Sequence, residues 1–418
     1  MLLKLAIASI LNRKLTAALT VLSIAVGVFL LTGVEHIRSE AKHSFSKTVS
    51  GVDLIVGART GPLNLLLYSV FHIGSASNAI SWQSYREFAS HPEVAWSVPI
   101  ALGDSHKGYR VVGTTSDFFD HFRYGQKQTL KFASGRAFDD VYEAVLGAQV
   151  ARSLGYELGR SITLAHGIAT TGFNRHDDKP FTVVGILAPT GTPIDQAVHV
   201  SLAGIEAIHV DWQSGVHIPG RTIDAQAALG YDLTPKSITA FFVGLKSKIA
   251  LFSLQREIND YRDEAMIAIM PGITLMELWQ MSGMLENMLH LISILVLFAT
   301  LLGLATMLLA SMKEREREMA VLRAIGAHAG SLFFLIELEA LVLTTVGILA
   351  GSSTLALTLL IARRELSERF GLFIGVNPFT PTTMHYFLGI LALSALLALI
   401  PSVAAYRKAL GRGLTAKT

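Results

Sequence analysis

The sequence predicts a membrane protein of four transmembrane α-helices with a large extracytoplasmic mixed α+β domain between helices 1 and 2. Three observations carry that prediction. Four apolar runs, at 15–34, 289–312, 340–362 and 384–403, each supply the ~20 residues that a ~30 Å hydrocarbon core demands. The 35–288 segment between the first two is mostly polar, with short β-branched runs ended by Gly or Pro. At 51% hydrophobic and 16% charged residues, the chain is more apolar and less charged than an ordinary globular protein, and the excess sits in the four runs.

Basic residues set the expected orientation. Lys4, Arg13 and Lys14 precede the first span, Lys313, Arg315, Arg317 and Arg323 follow the second, and Arg407, Lys408, Arg412 and Lys417 follow the fourth. The positive-inside rule puts all three clusters and both termini in the cytoplasm, and the large domain outside a cytoplasmic (inner) membrane, in the periplasm if the cell has an outer membrane. The 363–383 external loop dissents with Arg363, Arg364 and Arg369, but Glu365 and Glu368 lie within helical reach of them. A net charge of +3 gives no reason to expect nucleic acid, and the absence of cysteine excludes disulfides and thiolate metal sites.

Residues 1–14 read as a cytoplasmic amphipathic helix on the membrane surface. The first span, 15–34, has an apolar run longer than a signal-peptide core and no small-x-small cleavage site after Val34, so it is expected to be a retained anchor. Residues 35–50 lack Gly and Pro, and Glu35, Arg38 and Lys42 fall at helical spacing, which predicts a stalk continuing outward. Strands are expected at 52–56, 109–112, 144–146, 161–164 and 181–187, and helices at 81–90, 148–154 and 248–260. The 57–77 and 188–193 patches read as loops, although 63–73 (LNLLLYSVFHI) is apolar enough to be a buried segment or a groove. Leu275, Leu278, Met281, Leu285, Met288 and Ile292 recur at intervals of three and four after Pro271, so a return stalk at 273–288 leads into the second span, 289–312. A 313–330 cytoplasmic segment, the third span at 331–362, the fourth at 384–403 and a 404–418 tail complete the chain.

The most specific segment is 313–327, KEREREMAVLRAIGA. Its dense alternation of Glu and Arg cannot enter lipid. As a helix it makes a charged rod that Gly326 would stop, and charge pattern alone favours a solvated linker helix with self-paired charges. Glu-x-x-x-Leu-Arg-Ala-x-Gly-Ala over 318–327 resembles the signature of FtsX/MacB-like ABC transporter permeases, the mechanotransmission or type VII branch. The span order matches, and Gly135-Arg136, 144–158 (AVLGAQVARSLGYEL) and 181–187 (FTVVGIL) resemble the MacB-type outside domain. The resemblance implies that Glu314, Arg315, Glu316, Arg317, Glu318, Arg323 and Gly326 belong to the element that docks on a separate ATPase. No Gly-x-x-x-x-Gly-Lys-Ser/Thr phosphate loop occurs, so ATP and Mg are expected on that partner and the chain itself is expected to have no catalytic residues and no cofactor. ABC ATPases act as a two-fold sandwich, which implies two ATPase copies and a second permease subunit, most simply a homodimer.

Small residues at Ala299-x-x-x-Gly303 and Gly347-x-x-x-Gly351 offer faces for close helix packing. Glu337 and Glu339 precede the 340–362 apolar run, long enough to cross, so both are expected at the cytoplasmic interface. The outside domain holds 11 of the 14 histidines. His199, His209, Asp211 and His217 lie within a short stretch, and His166 and His176 lie near Asp177 and Asp178. These residue types suit zinc, yet no metal-ligand spacing motif is present, and surface histidines are the simpler expectation. Neither Gly-x-Ser-x-Gly nor His-Glu-x-x-His occurs, which argues against a hidden hydrolase. Within the resembled family the expected roles are export with a periplasmic adaptor or substrate-binding partner, lipoprotein extraction, or mechanical signalling; a metal-linked transporter component, or a membrane-anchored scaffold without ATPase, are the alternatives.

Overall fold

The computed structural model describes residues 2–48, 50–76, 78–125, 127–167, 176–213, 216–217, 223–314, 321, 326–370, 375 and 377–411. The helices are α1 Leu2–Asn12, α2 Lys14–Thr48, α3 Pro62–Val70, α4 Trp82–Ala89, α5 Asp117–His121, α6 Ala148–Leu154, α7 Leu202–His209, α8 Ala225–Ala228, α9 Leu251–Asn259, α10 Pro271–Glu314, α11 Ala329–Phe370 and α12 Pro381–Gly411. Two compact units result, one built on Met1–Glu40, Ser282–Arg364 and Ile374–Thr418, the other on Ala41–Met281 with Glu365–Phe373.

The first unit holds four helical stretches long and apolar enough to cross a membrane: Lys14–Glu40, Glu286–Ala310, Ala329–Ala362 and Pro381–Arg407. Its core forms where helical periodicity aligns apolar side chains. Leu297, Leu301, Leu304 and Leu308 of α10 make one stripe, meeting Ile24, Val28 and Leu31 of α2, Ile336, Ala340 and Leu343 of α11, and Ile390 and Leu397 of α12. Thr344 and Ser394 hydrogen-bond at 2.6 Å between α11 and α12, a polar link of about 0.6 kcal/mol in lipid. Past the apolar part of α2, Arg38 pairs with Glu35 at 3.2 Å and reaches Glu286 of α10 at 3.5 Å. His36 and Glu40 contact the backbone of Gly375 at 2.6 and 2.9 Å. In α1, Leu2, Leu3, Ile7 and Leu11 stay exposed while Ala6 and Ser9 are buried.

The second unit is built on a mixed sheet of eleven strands among the described residues: β1 Leu54–Ala58, β2 Val94–His106, β3 Tyr109–Thr114, β4 Phe132–Gly135, β5 Glu143–Leu146, β6 Ser161–Ile162, β7 Ala165–His166, β8 Phe181–Leu187, β9 Ala197–Ser201, β10 Ala240–Leu245 and β11 Met266–Ile269. Their order is β11-β1-β10-β2-β3-β9-β5-β8-β4, with β7 added to β2 and β6 to β8. β9 runs parallel to β3 and β8 parallel to β5; the β2–β3 pair is antiparallel. Lys107 and Gly108 close that hairpin with φ of 47° and 88°, the paired positive φ of a two-residue turn.

Period-two alternation divides the core between the two sheet faces. Ile55, Val112, Val145 and Phe242 face one layer with α3 and α5. Leu54, Val56, Phe241 and Val243 face the opposite layer with α4 and α9, and Val111, Ala144, Leu146, Val198 and Val200 face it with Val150 of α6 and Ile208 of α7. The apolar 63–73 run is mostly α3, with Pro62 at its first turn and Leu65, Leu66, Tyr68 and Val70 buried. The groove alternative is thereby replaced by core packing, and the expected loop is a helix at its centre.

Candidate functional site

Within the second unit, four side chains from separate segments converge. Asp104 lies near the end of β2, and antiparallel pairing with β7 sets His166 directly opposite it, so the two side chains share a face. His166 Nδ1 stands 2.9 Å from Asp104 Oδ1. His209 is the last residue of α7; its Nε2 lies 3.0 Å from His166 Nε2 and 3.9 Å from Asp104 Oδ1. His176 is held by its backbone N–H, which donates to Leu164 O at 2.9 Å. The three imidazole centroids lie 4.5 to 5.2 Å apart. One donor atom from each of Asp104, His166, His176 and His209 falls within 4.8 Å of every other. Asp104 and His176 are 3% and 1% exposed, while His166 and His209 are half-buried, so the cluster has two closed walls and a partly open mouth.

Burial, reinforced by His209, pushes the His176 imidazole down to about 4. Burial also lowers His209, against the opposing pull of Asp104. Both rings are therefore neutral near pH 7, the form in which a ring nitrogen offers a lone pair.

The neighbouring buried ion pair positions two members of the cluster. Lys179, fully buried, donates to Asp211 Oδ1 at 2.7 Å and lies 3.1 Å from Asp178 Oδ2. It ties the segment carrying His176 to the residues just after His209, and removing the Lys179 charge would leave Asp211 buried without its charge partner, a loss of about 3–5 kcal/mol. His106, also buried, spans Thr163 O at 2.7 Å and Tyr156 Oη at 3.1 Å, which fixes the chain leading into β7.

Of the stretch His199, His209, Asp211 and His217, the structure brings only His209 into this cluster. His199 is completely buried on the opposite side of β9 from Val198 and Val200, its ring 5.2 Å from Phe118 and 5.9 Å from Phe119. Burial, with His72 adding to it, lowers it to about 3, so it is a neutral core residue. Asp211 is committed to Lys179. His217 pairs through its backbone with Trp212, and its side chain lies outside the described residues. His166 and His176 stand out in the sequence beside Asp177 and Asp178, whereas Asp104 carries no local signal, because only the β2–β7 register brings it to His166.

Within the charged 313–327 segment only 313, 314, 321, 326 and 327 are among the described residues. Glu314 closes α10; Arg315, Glu316, Arg317, Glu318 and Arg323 lie outside the described residues; Gly326 adopts φ +96°, a conformation that favours glycine, shortly before α11. Gly347 and Gly351 pack within the chain: an added Cβ would lie 2.6 Å from Ile24 Cγ2 and 2.5 Å from Ala25 O of α2. Ala299 and Gly303 are exposed on α10, with nothing within 4 Å of a Cβ at Gly303. Glu339 is buried and Glu337 partly buried on α11.

The family model described as the MacB-like periplasmic core domain matches residues 17–261, and that of the FtsX-like permease C-terminal matches residues 290–414. Among solved structures, the periplasmic region of MacB from Actinobacillus actinomycetemcomitans is similar at 11% identity and a TM-score of 0.34, over 55% of this chain and 94% of that one. The extracellular domain of the noncanonic ABC-type transporter YknZ from Gram-positive bacteria is similar at 14% identity and a TM-score of 0.30, over 52% and 98%. No curated protein matches the chain. With one model covering more than half of the sequence and the other most of the remainder, the chain belongs to the ABC transporter permease family that joins a MacB-like periplasmic core domain to an FtsX-like membrane region.

Proposed function

We propose that this chain is the membrane subunit of an ATP-driven complex in the inner membrane, with both termini cytoplasmic, and that it carries motion from a separate ATPase to the extracytoplasmic domain. The observation that carries this reading is the continuity of α10. It is one helix of 44 residues, about 66 Å long at ~1.5 Å per residue. Leu275 at one end belongs to the core of the sheet domain, and Leu297 to Leu308 belong to the core of the membrane unit. Such a rod converts displacement at the 313–323 segment into movement of the sheet domain. The apolar spans offer little lining for a hydrophilic path through the membrane, so the work is done at the outer face, as substrate export or as force on a periplasmic partner. Two ATPase copies and a second permease copy complete the assembly, and the outward Ala299 and Gly303 give that copy a small-residue face to approach.

Charge reversal of the docking segment tests the reading. Arg317→Glu with Arg323→Glu should leave the chain inserted and folded but abolish co-purification of an ABC ATPase from native membranes. Undiminished recovery of the ATPase, or no ATPase with the natural chain, would overturn it.

A further inference from the structure

We propose that Asp104, His166, His176 and His209 form a binding site for one divalent transition-metal ion of the zinc class on the extracytoplasmic domain. The inference does not depend on how the chain couples to an ATPase.

The donor set is three imidazoles and one carboxylate, with no thiolate available in a chain that lacks cysteine. Nitrogen-rich sets of this kind favour Zn²⁺, Co²⁺, Ni²⁺ and Cu²⁺ over Mg²⁺ and Ca²⁺, which take oxygen ligands. The spacing fits as well. Zn–N bonds of about 2.0–2.1 Å in a tetrahedron put neighbouring ligand atoms about 3.3 Å apart. The separations of 3.0 Å between His166 and His209 and 3.9 Å between His209 and Asp104 bracket that edge, and all four donor atoms lie within 4.8 Å, so a cation is gripped by sub-ångström to ångström contraction.

The cage is supported from behind. The β2–β7 register sets Asp104 against His166, and the buried Lys179–Asp211 pair joins the His176 segment to the end of α7. The Lys179 ammonium opposes a cation nearby, but it is neutralised by Asp211 at 2.7 Å and Asp178 at 3.1 Å. The half-exposed rings of His166 and His209 leave a way in from solvent. A bound ion would cross-link β2, β7, the 176–180 segment and α7, four separate pieces of the sheet domain.

The test uses the full, tag-free chain in detergent, stripped with chelator and titrated with ZnCl₂ by calorimetry and with CoCl₂ by visible absorption. The expected result is one equivalent of zinc per chain, cobalt bands of a four-coordinate nitrogen–oxygen site that zinc displaces, and no heat with MgCl₂. His166→Ala with His209→Ala should weaken zinc binding by more than about 100-fold, and Asp104→Asn by about 10- to 100-fold. His91→Ala, which removes a half-buried histidine of the same domain paired with Glu257, should leave it unchanged. If the double variant fails to fold, the natural chain and Asp104→Asn still decide. No stoichiometric zinc on the natural chain, or equal binding in Asp104→Asn, overturns the proposal.

Discussion

At the scale of single residues, the same side-chain type takes opposite roles according to which face of a strand it occupies. His199 points into the Phe118–Phe119 layer and is neutral core, whereas His166 sits opposite Asp104 and joins the polar cluster. Ion pairs show similar dependence on place. Arg136 donates to both oxygens of Glu143, at 2.8 and 2.5 Å, and this pulls the carboxyl from 4.5 down to about 2, helped by the backbone N–H groups of Asp139 and Asp140. A depressed carboxylate stabilises the fold above its unfolded value and loses that contribution as pH falls through its folded value. Arg136→Met should therefore lower the thermal midpoint by a constant amount above about pH 5, and the difference from the natural chain should vanish as pH falls from about 4.5 to 2. Thermal melts across that range check it; a difference that persists at pH 2 would show that packing of the Arg136 stem, not charge, is responsible.

At the scale of elements, the two small-residue motifs separate. The α11 motif is a seam between helices of one chain, since a side chain at Gly351 would meet the backbone oxygen of Ala25, which cannot swing aside. The α10 motif faces outward. Gly351→Leu should lose about 1–3 kcal/mol through overpacking and lower the yield of folded chain. Gly303→Leu should leave the single chain intact and reduce only association with a second copy. Detergent melts and size measurements on both variants separate these effects, and equal behaviour would contradict the assignment. Gly326 adopts a φ of +96°, where a residue with a Cβ is strained.

At the scale of the whole molecule, the proposed coupling requires that α10 stay rigid along its length. Gly283→Pro removes a backbone hydrogen bond and adds a ring clash in mid-helix, about 3 kcal/mol, at a position where no neighbour lies within 4 Å of the new Cβ. Expected is an inserted protein that still recruits its ATPase but no longer lets the outer domain influence ATP hydrolysis; full coupling in reconstituted membranes would show that the rod is not the transmitter. The amino-acid order by itself determined the membrane character, the placement of the outside domain, the family and a minority of the short strands and helices, because hydrophobic run length and local periodicity are properties of neighbouring residues. Long β2 and the buried strands β9, β10 and β11 were not foreseen, since short apolar runs buried on both faces lack a distinctive period. Only the tertiary structure decided which histidines meet. Asp104, His166, His176 and His209 are spread over three strand–helix excursions, and it is the antiparallel register of β2 with β7 and the docking of α7 on the sheet that bring their donor atoms within 4.8 Å.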